Sequence, residues 1–344
     1  MGLRAKGTGD DGSADGMDPP QWLLDLRSGA SSDVPSLEGA ILRGLDLSGL
    51  DLGGARLAGA DLTGADLTKT RFFGADLNGA QLHGVSARGA EFAGANLSGA
   101  LLSEGDFESA GFGSANLCHA VAHRSSFRNA SFSASDASGA TFAAADLTGA
   151  RMVEANLTGA DFQAATLAEA DLMGVQVAGA TFRRARLKCA KLLGVRGFAS
   201  ADWIFVELDA TSLNGGVLLR EFIHDQNFLH EFRHQSKWHE WIYRVWWLTS
   251  DCGRSVSRWG VCSFVLAVSF ALIYTQVGLQ YGSDYTWLSP FYFSIVTFTT
   301  LGYGDILPVT AVAQAVVMIE VILGYVMLGG MLSLISNKLA RRAG

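Results

Sequence analysis

Two stretches of the chain carry residue types whose spacing suits chemistry at a cation. The first is Thr299, Thr300, Leu301, Gly302, Tyr303, Gly304 and Asp305, which follows an apolar, aromatic run (291–298) and lies between two membrane-length apolar segments. Its two glycines, one residue apart, let the backbone enter left-handed conformations cheaply. The second is His230-Glu231-Phe232-Arg233-His234, which fits H-E-x-x-H, with histidines four apart as on one helix face. Zinc chemistry also needs a third ligand and a substrate cleft. His239 and Glu240 follow, but nothing around them builds a peptidase fold, so a solvated or interfacial helix face is the expectation there. No metal cofactor is expected, and no catalytic residues.

The first stretch resembles the selectivity filter of potassium channels, whose signature reads Thr-Val-Gly-Tyr-Gly. The resemblance implies that backbone carbonyls replace the water around a permeant potassium ion. Carried over residue by residue, Thr300, Leu301, Gly302, Tyr303 and Gly304 would be the filter, with K+ at Thr300, Leu301, Gly302 and Tyr303. The Thr300 hydroxyl would add a ligand at the inner end, and Tyr303 would brace the filter from behind, ring buried and hydroxyl bonded. Asp305 would stand at the outer mouth. Thr299, Asp305 and Glu320 are the expected filter supports. Leu301 replaces the commonest Val and keeps the carbonyl. A non-selective cation channel of the same architecture is the alternative, and Tyr303 speaks against it.

The elements that must position this stretch are two spans. Residues 259–279 and 309–336 are long and apolar enough to cross a bilayer. No Lys or Arg occurs between Arg258 and Lys338, whereas Arg254, Arg258, Lys338, Arg341 and Arg342 flank the pair. The positive-inside rule then puts both termini in the cytoplasm of a plasma (inner) membrane protein and the loop with Asp284 and Asp305 outside. Pro290 suits the first turn of a pore helix over 289–299. One chain supplies one filter loop, so a homotetramer is expected. There is no arginine-rich span to sense voltage. Only eight residues follow Ser336, a short tail (338–344 beyond the pore domain 259–337), so no C-terminal ligand-binding domain is expected.

Two features of the second span bear on its working. Glu320 is an ionisable group inside a span, which is costly unless paired or wetted. It could face the cavity as a cation site, or bond to the pore helix near Thr297 or Thr299; the cost of an unpaired charge favours the second. Gly324 resembles the hinge glycine of potassium-channel inner helices, with close helix packing as the other reading. Gly329 and Gly330 are further hinge candidates.

Upstream, every fifth residue from Leu37 to Leu192 is a central, mostly apolar position, a run of thirty-two units without a slip. A small residue sits two before each centre, often with Asp or Asn between, as in Ala60-Asp61-Leu62. A period of five fits neither helix nor strand, and turn-forming Asp, Asn and Gly suit the corners of a solenoid. The pattern resembles the pentapeptide-repeat family, which implies a right-handed quadrilateral β-helix over 37–197 with four units per coil. Eight coils at about 4.8 Å each would make a rod on the order of 40 Å long. Ala87, Ala122 and Ala137 occupy central positions, where under-packing is expected. Between 37 and 196 there are 16 acidic and 14 basic residues, too even a balance for a DNA-shaped decoy, so a scaffold or docking surface is expected and no nucleic acid.

The remainder is framed by these parts. The fold class is therefore mixed: a β-helix followed by an all-α, two-span pore domain. Residues 1–17 are poor in buryable groups and read as a disordered tail. Residues 18–36, opening with Asp18 before Pro19 and Pro20, read as a helical cap. Residues 198–258 hold a closing segment and a helix over 217–248, rich in Trp suited to the lipid interface. That helix is the one route by which a cytoplasmic ligand or partner on the repeats could influence the pore; a role in assembly or localisation alone is the other reading. Mean hydropathy is +0.22 and net charge −7, which fits repeats plus spans and excludes a strongly basic nucleic-acid binder. Cys118, Cys189, Cys252 and Cys262 show no pairing pattern and read as free thiols. The N-terminus lacks an apolar run, so no signal peptide is expected.

Overall fold

The computed structural model describes residues 20–28, 35–208, 216–253, 255–281 and 286–343. The tail 1–17, the Asp18 cap and Asp284 lie outside them. The chain divides into two units, 1–228 and 229–344.

In the first unit the five-residue period becomes a four-sided β-helix. Parallel bridges join residues twenty apart, Ile41 to Asp61, Asp61 to Gln81, and onward to Gln176 and Arg196, so four units make a coil. Within each unit the chain turns a corner at every step. The small residue's N–H donates to the preceding central carbonyl, as Ala60 to Leu57 at 2.9 Å, and central N–H groups donate to the next coil, as Leu57 to Asp76 at 2.7 Å. The central residues are buried, and where they are Phe they stack at coil spacing: Phe72, Phe92, Phe112 and Phe132 with centroids 4.8–5.0 Å apart. Ala87, Ala122 and Ala137 are fully buried as well.

The Asp or Asn of each unit has two tasks. Its side chain accepts from the N–H two residues on, as Asp61 from Thr63 and Asp146 from Thr148, which is an Asx turn. Some also bond between coils, as Asn96 to Asp76 and Asn156 to Asp136. Thr70 and Ser125 stand at small positions, buried, and donate to the Leu47 and Leu102 carbonyls.

The β-helix does not end at 197. A 3-10 helix (Phe198–Ser200) inserts one residue, and the next bridges join Thr181 to Asp202 and Arg186 to Glu207, twenty-one apart. Trp203 takes the central position and stacks on Phe182 at 4.3 Å. The slip is absorbed at Gly197, whose φ of +75° is left-handed. The expected closing segment is thus partly a further coil. At the other end, helix α1 (Gln21–Ser28) buries Leu23 in the repeat core, and Arg27 pairs with Asp46 at 2.7 Å.

The expected single helix over 217–248 is two. Helix α2 (Val217–His234) buries Leu219 and Ile223 in the same core, and its Gln226 and Asn227 side chains accept from the Trp203 and Phe205 N–H groups. Helix α3 (Lys237–Ser250) starts after Ser236, whose extended backbone and hydroxyl cap the His239 N–H. The second unit continues with α4 (Val256–Tyr274), a two-residue strand β1 (Leu279–Gln280), α5 (Ser289–Phe298), strand β2 (Leu307–Pro308) and α6 (Ala311–Ala343).

Two of these helices, Val256–Tyr274 and the Ala311–Ser336 part of α6, are long and apolar enough to cross a membrane. The first ends five residues before the expected boundary at 279, because Leu279 pairs with Pro308 and the Val309 N–H donates to the Gly278 carbonyl. The second starts at Ala311 for the same reason, with the Thr310 hydroxyl accepting from the Ala313 N–H. At its far end α6 runs through the expected tail to Ala343; that segment holds no Gly or Pro and is rich in strong helix formers.

Candidate functional site

Helix α5 is short, apolar and wedged between α4 and α6. Pro290 sits in its first turn, where its missing N–H costs nothing. The stretch after it is tied back to its last turn: the Thr300 N–H donates to the Thr297 carbonyl at 3.0 Å and Leu301 to Val296 at 2.9 Å. The Thr299 hydroxyl is spent on the Ile295 carbonyl at 2.6 Å.

Along 300–304 the backbone alternates. Thr300, Gly302 and Gly304 have φ of +60°, +52° and +76°, and Leu301 and Tyr303 between them do not. In an ordinary strand successive carbonyls face opposite ways. Alternating left- and right-handed residues is the backbone condition for turning them to one side. The left-handed glycines match what their residue type permits. Thr300 was missed: nothing about threonine signals a positive φ, which costs it on the order of 1–2 kcal/mol.

Tyr303, expected to be buried with its hydroxyl bonded, is 67% exposed on its own chain. Leu301 is exposed too. Asp305, at the far end of the stretch, is exposed as well. The stretch is thus braced at its base by its own α5, and the rest of it is uncovered.

Glu320 on α6 is fully buried. The Tyr274 hydroxyl, from the end of α4, donates to its Oε2 at 2.5 Å, and the Ser294 hydroxyl, from the middle of α5, bonds its Oε1. Ser294 also reaches the Ala267 carbonyl of α4 at 2.7 Å. The carboxyl group therefore joins three helices. Its partner on α5 is Ser294; neither Thr297 nor Thr299, the neighbours expected from the sequence, holds it. Sequence reasoning missed Ser294 and Tyr274, although a Ser in the middle of an apolar ten-residue helix is a signal of a bonded hydroxyl.

The three glycines of α6 differ. A Cβ on Gly324 would lie 2.2 Å from the Phe298 carbonyl oxygen, so α5 ends directly against this point. On Gly330 it would meet the Trp259 ring at 2.4 Å, a ring fixed by its own bond from Nε1 to the Met327 carbonyl at 2.7 Å. On Gly329 it would meet nothing within 4 Å. Gly324 and Gly330 are contact glycines, as small residues between membrane helices commonly are.

The H-E-x-x-H histidines close α2. The His234 Nδ1 is engaged with the His230 carbonyl at 2.7 Å. Among the described residues no group of three or more His, Cys, Asp or Glu is arranged to hold a metal.

A re-entrant helix and loop between two membrane-length helices, preceded by a β-helix, define a pore-loop membrane protein with a repeat domain. Residues 260–341 match the family described as ion channel, and 40–79, 65–104, 110–149 and 142–175 match pentapeptide repeats, in eight copies. The chain therefore joins N-terminal pentapeptide repeats to a two-span ion-channel domain. It is similar to two-pore potassium channel 4 of Arabidopsis thaliana, 36% identical over 89 residues. That match covers 23% of this chain and 31% of the relative, so the chain spans about a third of the curated relative it matches. Among solved structures it is similar to a trypsin-treated variant of QnrB1, a plasmid-mediated fluoroquinolone resistance protein (22% identity, TM-score 0.36, covering 53% of this chain and 97% of that one). It is also similar to HetL, a pentapeptide repeat protein of the cyanobacterium Nostoc (23% identity, TM-score 0.28, covering 59% and 98%).

Proposed function

We propose that the protein is a potassium-selective channel: a homotetramer in the plasma membrane, both termini cytoplasmic, conducting K+ passively through four copies of 300–304. The observation that carries this reading is the alternating backbone of Thr300-Leu301-Gly302-Tyr303-Gly304, held at its base by the end of a re-entrant helix. A single such strand presents carbonyls along one side only. A ring that replaces an ion's water needs several, and four-fold closure supplies it. Closure would also cover Tyr303 and Leu301, whose exposure on one chain is otherwise costly for large apolar groups. The similarity to a potassium channel supports the ion's identity. Flanking Arg258, Lys338, Arg341 and Arg342 support the orientation. The pentapeptide repeats serve as a cytoplasmic scaffold or regulatory module.

The test is the reversal potential of purified protein in liposomes with K+ on one side and Na+ on the other. A shift close to the K+ equilibrium potential is expected, and Gly302→Ala should abolish current. A reversal near zero would mean a non-selective cation pore, and an unchanged Gly302→Ala current would remove 300–304 from the pathway.

A further inference from the structure

The repeats are near neutral as a whole but not along their length. Residues 37–176 hold 16 acidic and eight basic residues. The next twenty, 177–196, hold six basic residues and no Asp or Glu: Arg183, Arg184, Arg186, Lys188, Lys191 and Arg196. Twenty residues are one coil, as the bridge from Gln176 to Arg196 marks. At five residues per side the cations stand on all four sides of it, with Arg184 at a corner where φ is +56°. All six are exposed. Neighbouring coils answer three of them. Arg183 pairs with Asp202 at 2.6 Å, Arg186 with Glu207 at 3.4 Å and Lys191 with Asp171 at 3.2 Å, surface pairs of the kind worth little. Arg184 and Lys188 have no acidic partner among the described residues, and Arg196 spends an N–H on the Gly174 carbonyl at 3.0 Å. The core of this coil is filled by Phe182, Leu187 and Leu192, so folding does not require the charge.

The arrangement selects among anionic partners. The cations diverge outward on four sides, so they do not converge on a small ligand. A nucleic acid laid along the rod would pass at once onto coils whose net charge is negative. A second copy fits no better. In a ring of four equivalent chains these coils lie at one level, so belt meets belt with like charge and neighbours do not cover it. An extended anionic surface does fit. The belt is about 5 Å thick, inside the about 8 Å over which physiological salt screens charge, and a rod turned to any side presents a cation. The same surface repels the acidic coils before it. Leu193, half-exposed between Lys191 and Arg196, adds an apolar group of the kind that enters a headgroup layer beside basic residues. The belt also stands at the end of the repeats from which the chain runs on to the spans, the first of which begins at Val256. We propose that coil 177–196 docks the repeats on anionic phospholipid headgroups of the bilayer that the spans cross. The proposal rests on the spans and not on the reading of 300–304 as a filter.

The experiment uses the full chain in liposomes of phosphatidylcholine, with or without phosphatidylglycerol, doped with a headgroup-quencher lipid. Cys189 is exposed and lies on the belt itself. With Cys118→Ser, Cys252→Ser and Cys262→Ser, it alone carries a fluorophore. Strong quenching is expected with phosphatidylglycerol and weak quenching without it. Raising KCl toward 1 M, where screening shortens to about 3 Å, should remove the difference. Each Lys or Arg near an anionic leaflet strengthens attachment about fivefold, so Arg184→Gln with Lys188→Gln should weaken it roughly 25-fold. The pair Lys69→Gln and Arg124→Gln, cations elsewhere in the repeats, should leave it unchanged. Should the cysteine background fail to assemble, hydrogen exchange of amides 183–196 in the same liposomes makes the same comparison. A signal indifferent to lipid charge, to salt or to the Arg184 and Lys188 substitutions overturns the proposal. So does a label that responds to added duplex DNA and not to phosphatidylglycerol, which would give the coil to nucleic acid. A silent or non-selective pore with quenching as expected would count against the filter and not against the belt.

Discussion

Gly324→Ala tests whether the inner helix uses this glycine to bend or to touch. The added methyl would sit 2.2 Å from the Phe298 oxygen, 3.1 Å from its carbonyl carbon and 3.3 Å from its Cα. Comfortable contact lies near 3.5 Å, so α5 and α6 must part by roughly 1 Å, and the atom in the way is backbone. Overpacking of this kind costs about 1–3 kcal/mol, offset by up to about 1 kcal/mol of helix propensity gained by Ala over Gly. Phe298 is two residues before Thr300, and the carbonyls of Val296 and Thr297 hold the Leu301 and Thr300 N–H groups. The strain should therefore appear at the base of 300–304: a lowered thermal midpoint and, on the channel reading proposed above, faster loss of conduction during sustained opening. Gly329→Ala meets nothing and should keep or slightly raise stability. Paired measurements of the two variants, by thermal unfolding in detergent and by single-channel recording, check this. If Gly324→Ala matches the wild type in midpoint and in sustained conduction while gating shifts, the contact argument is wrong and the hinge reading stands.

Three further outcomes follow from other parts of the structure. Tyr274→Phe or Ser294→Ala leaves the buried Glu320 short of a partner and should cost about 1–3 kcal/mol; in a thermal-unfolding cycle, Tyr274→Phe and Glu320→Gln should be non-additive by at least about 0.5 kcal/mol, and additivity would separate them. The corners at Glu104, Ser109, Ser114, His119, Arg124, Asn129 and Ala134 are seven consecutive non-glycine residues with positive φ; Ala134→Gly and Ala144→Gly should each stabilise the repeats by about 1 kcal/mol, whereas Ala140→Gly, at a small inward position, should destabilise them in the same denaturation assay. Asp46 is held down to about 2 by bonds from Ser48 and Arg27, below its usual 3.8; its contribution is full above pH 3.8 and lost as pH falls toward 2, so the protection of α1 amides, measured against their intrinsic exchange at each pH, should fall over that window and Arg27→Ala should lower it already at pH 5, by a small factor because the pair is surface-exposed.

What could be read from the sequence divides by the range of the physics. The five-residue period was legible because each inward position is chosen by one local fact, which way its side chain points, and the structure buries those positions from Leu37 to Leu192. The coil built around Trp203 was hidden by one inserted residue, since a period survives a slip in space but not in counting. The break between α2 and α3 was in reach: Ser236 is a capping residue, and only the run of helix formers around it argued for continuity. In the pore unit, Gly302 and Gly304 declared their left-handed backbone, because φ is a property of one residue. Gly324 could not be resolved, because a bend and a close contact both ask for the same missing Cβ, and only the position of Phe298 separates them. Glu320 shows the limit most sharply. Its cost inside a span is local and visible, and it correctly demanded a partner. Its partners lie 26 and 46 residues away on two other helices, and their identity depends on how three helices slide against one another. A shift of α5 by one turn would have offered Thr297 just as well. The same register that presents Ser294 to Glu320 brings Phe298 against Gly324 one turn along α6, so the buried bond and the glycine contact fix the height of α5 together, and with it the level at which Thr300 begins.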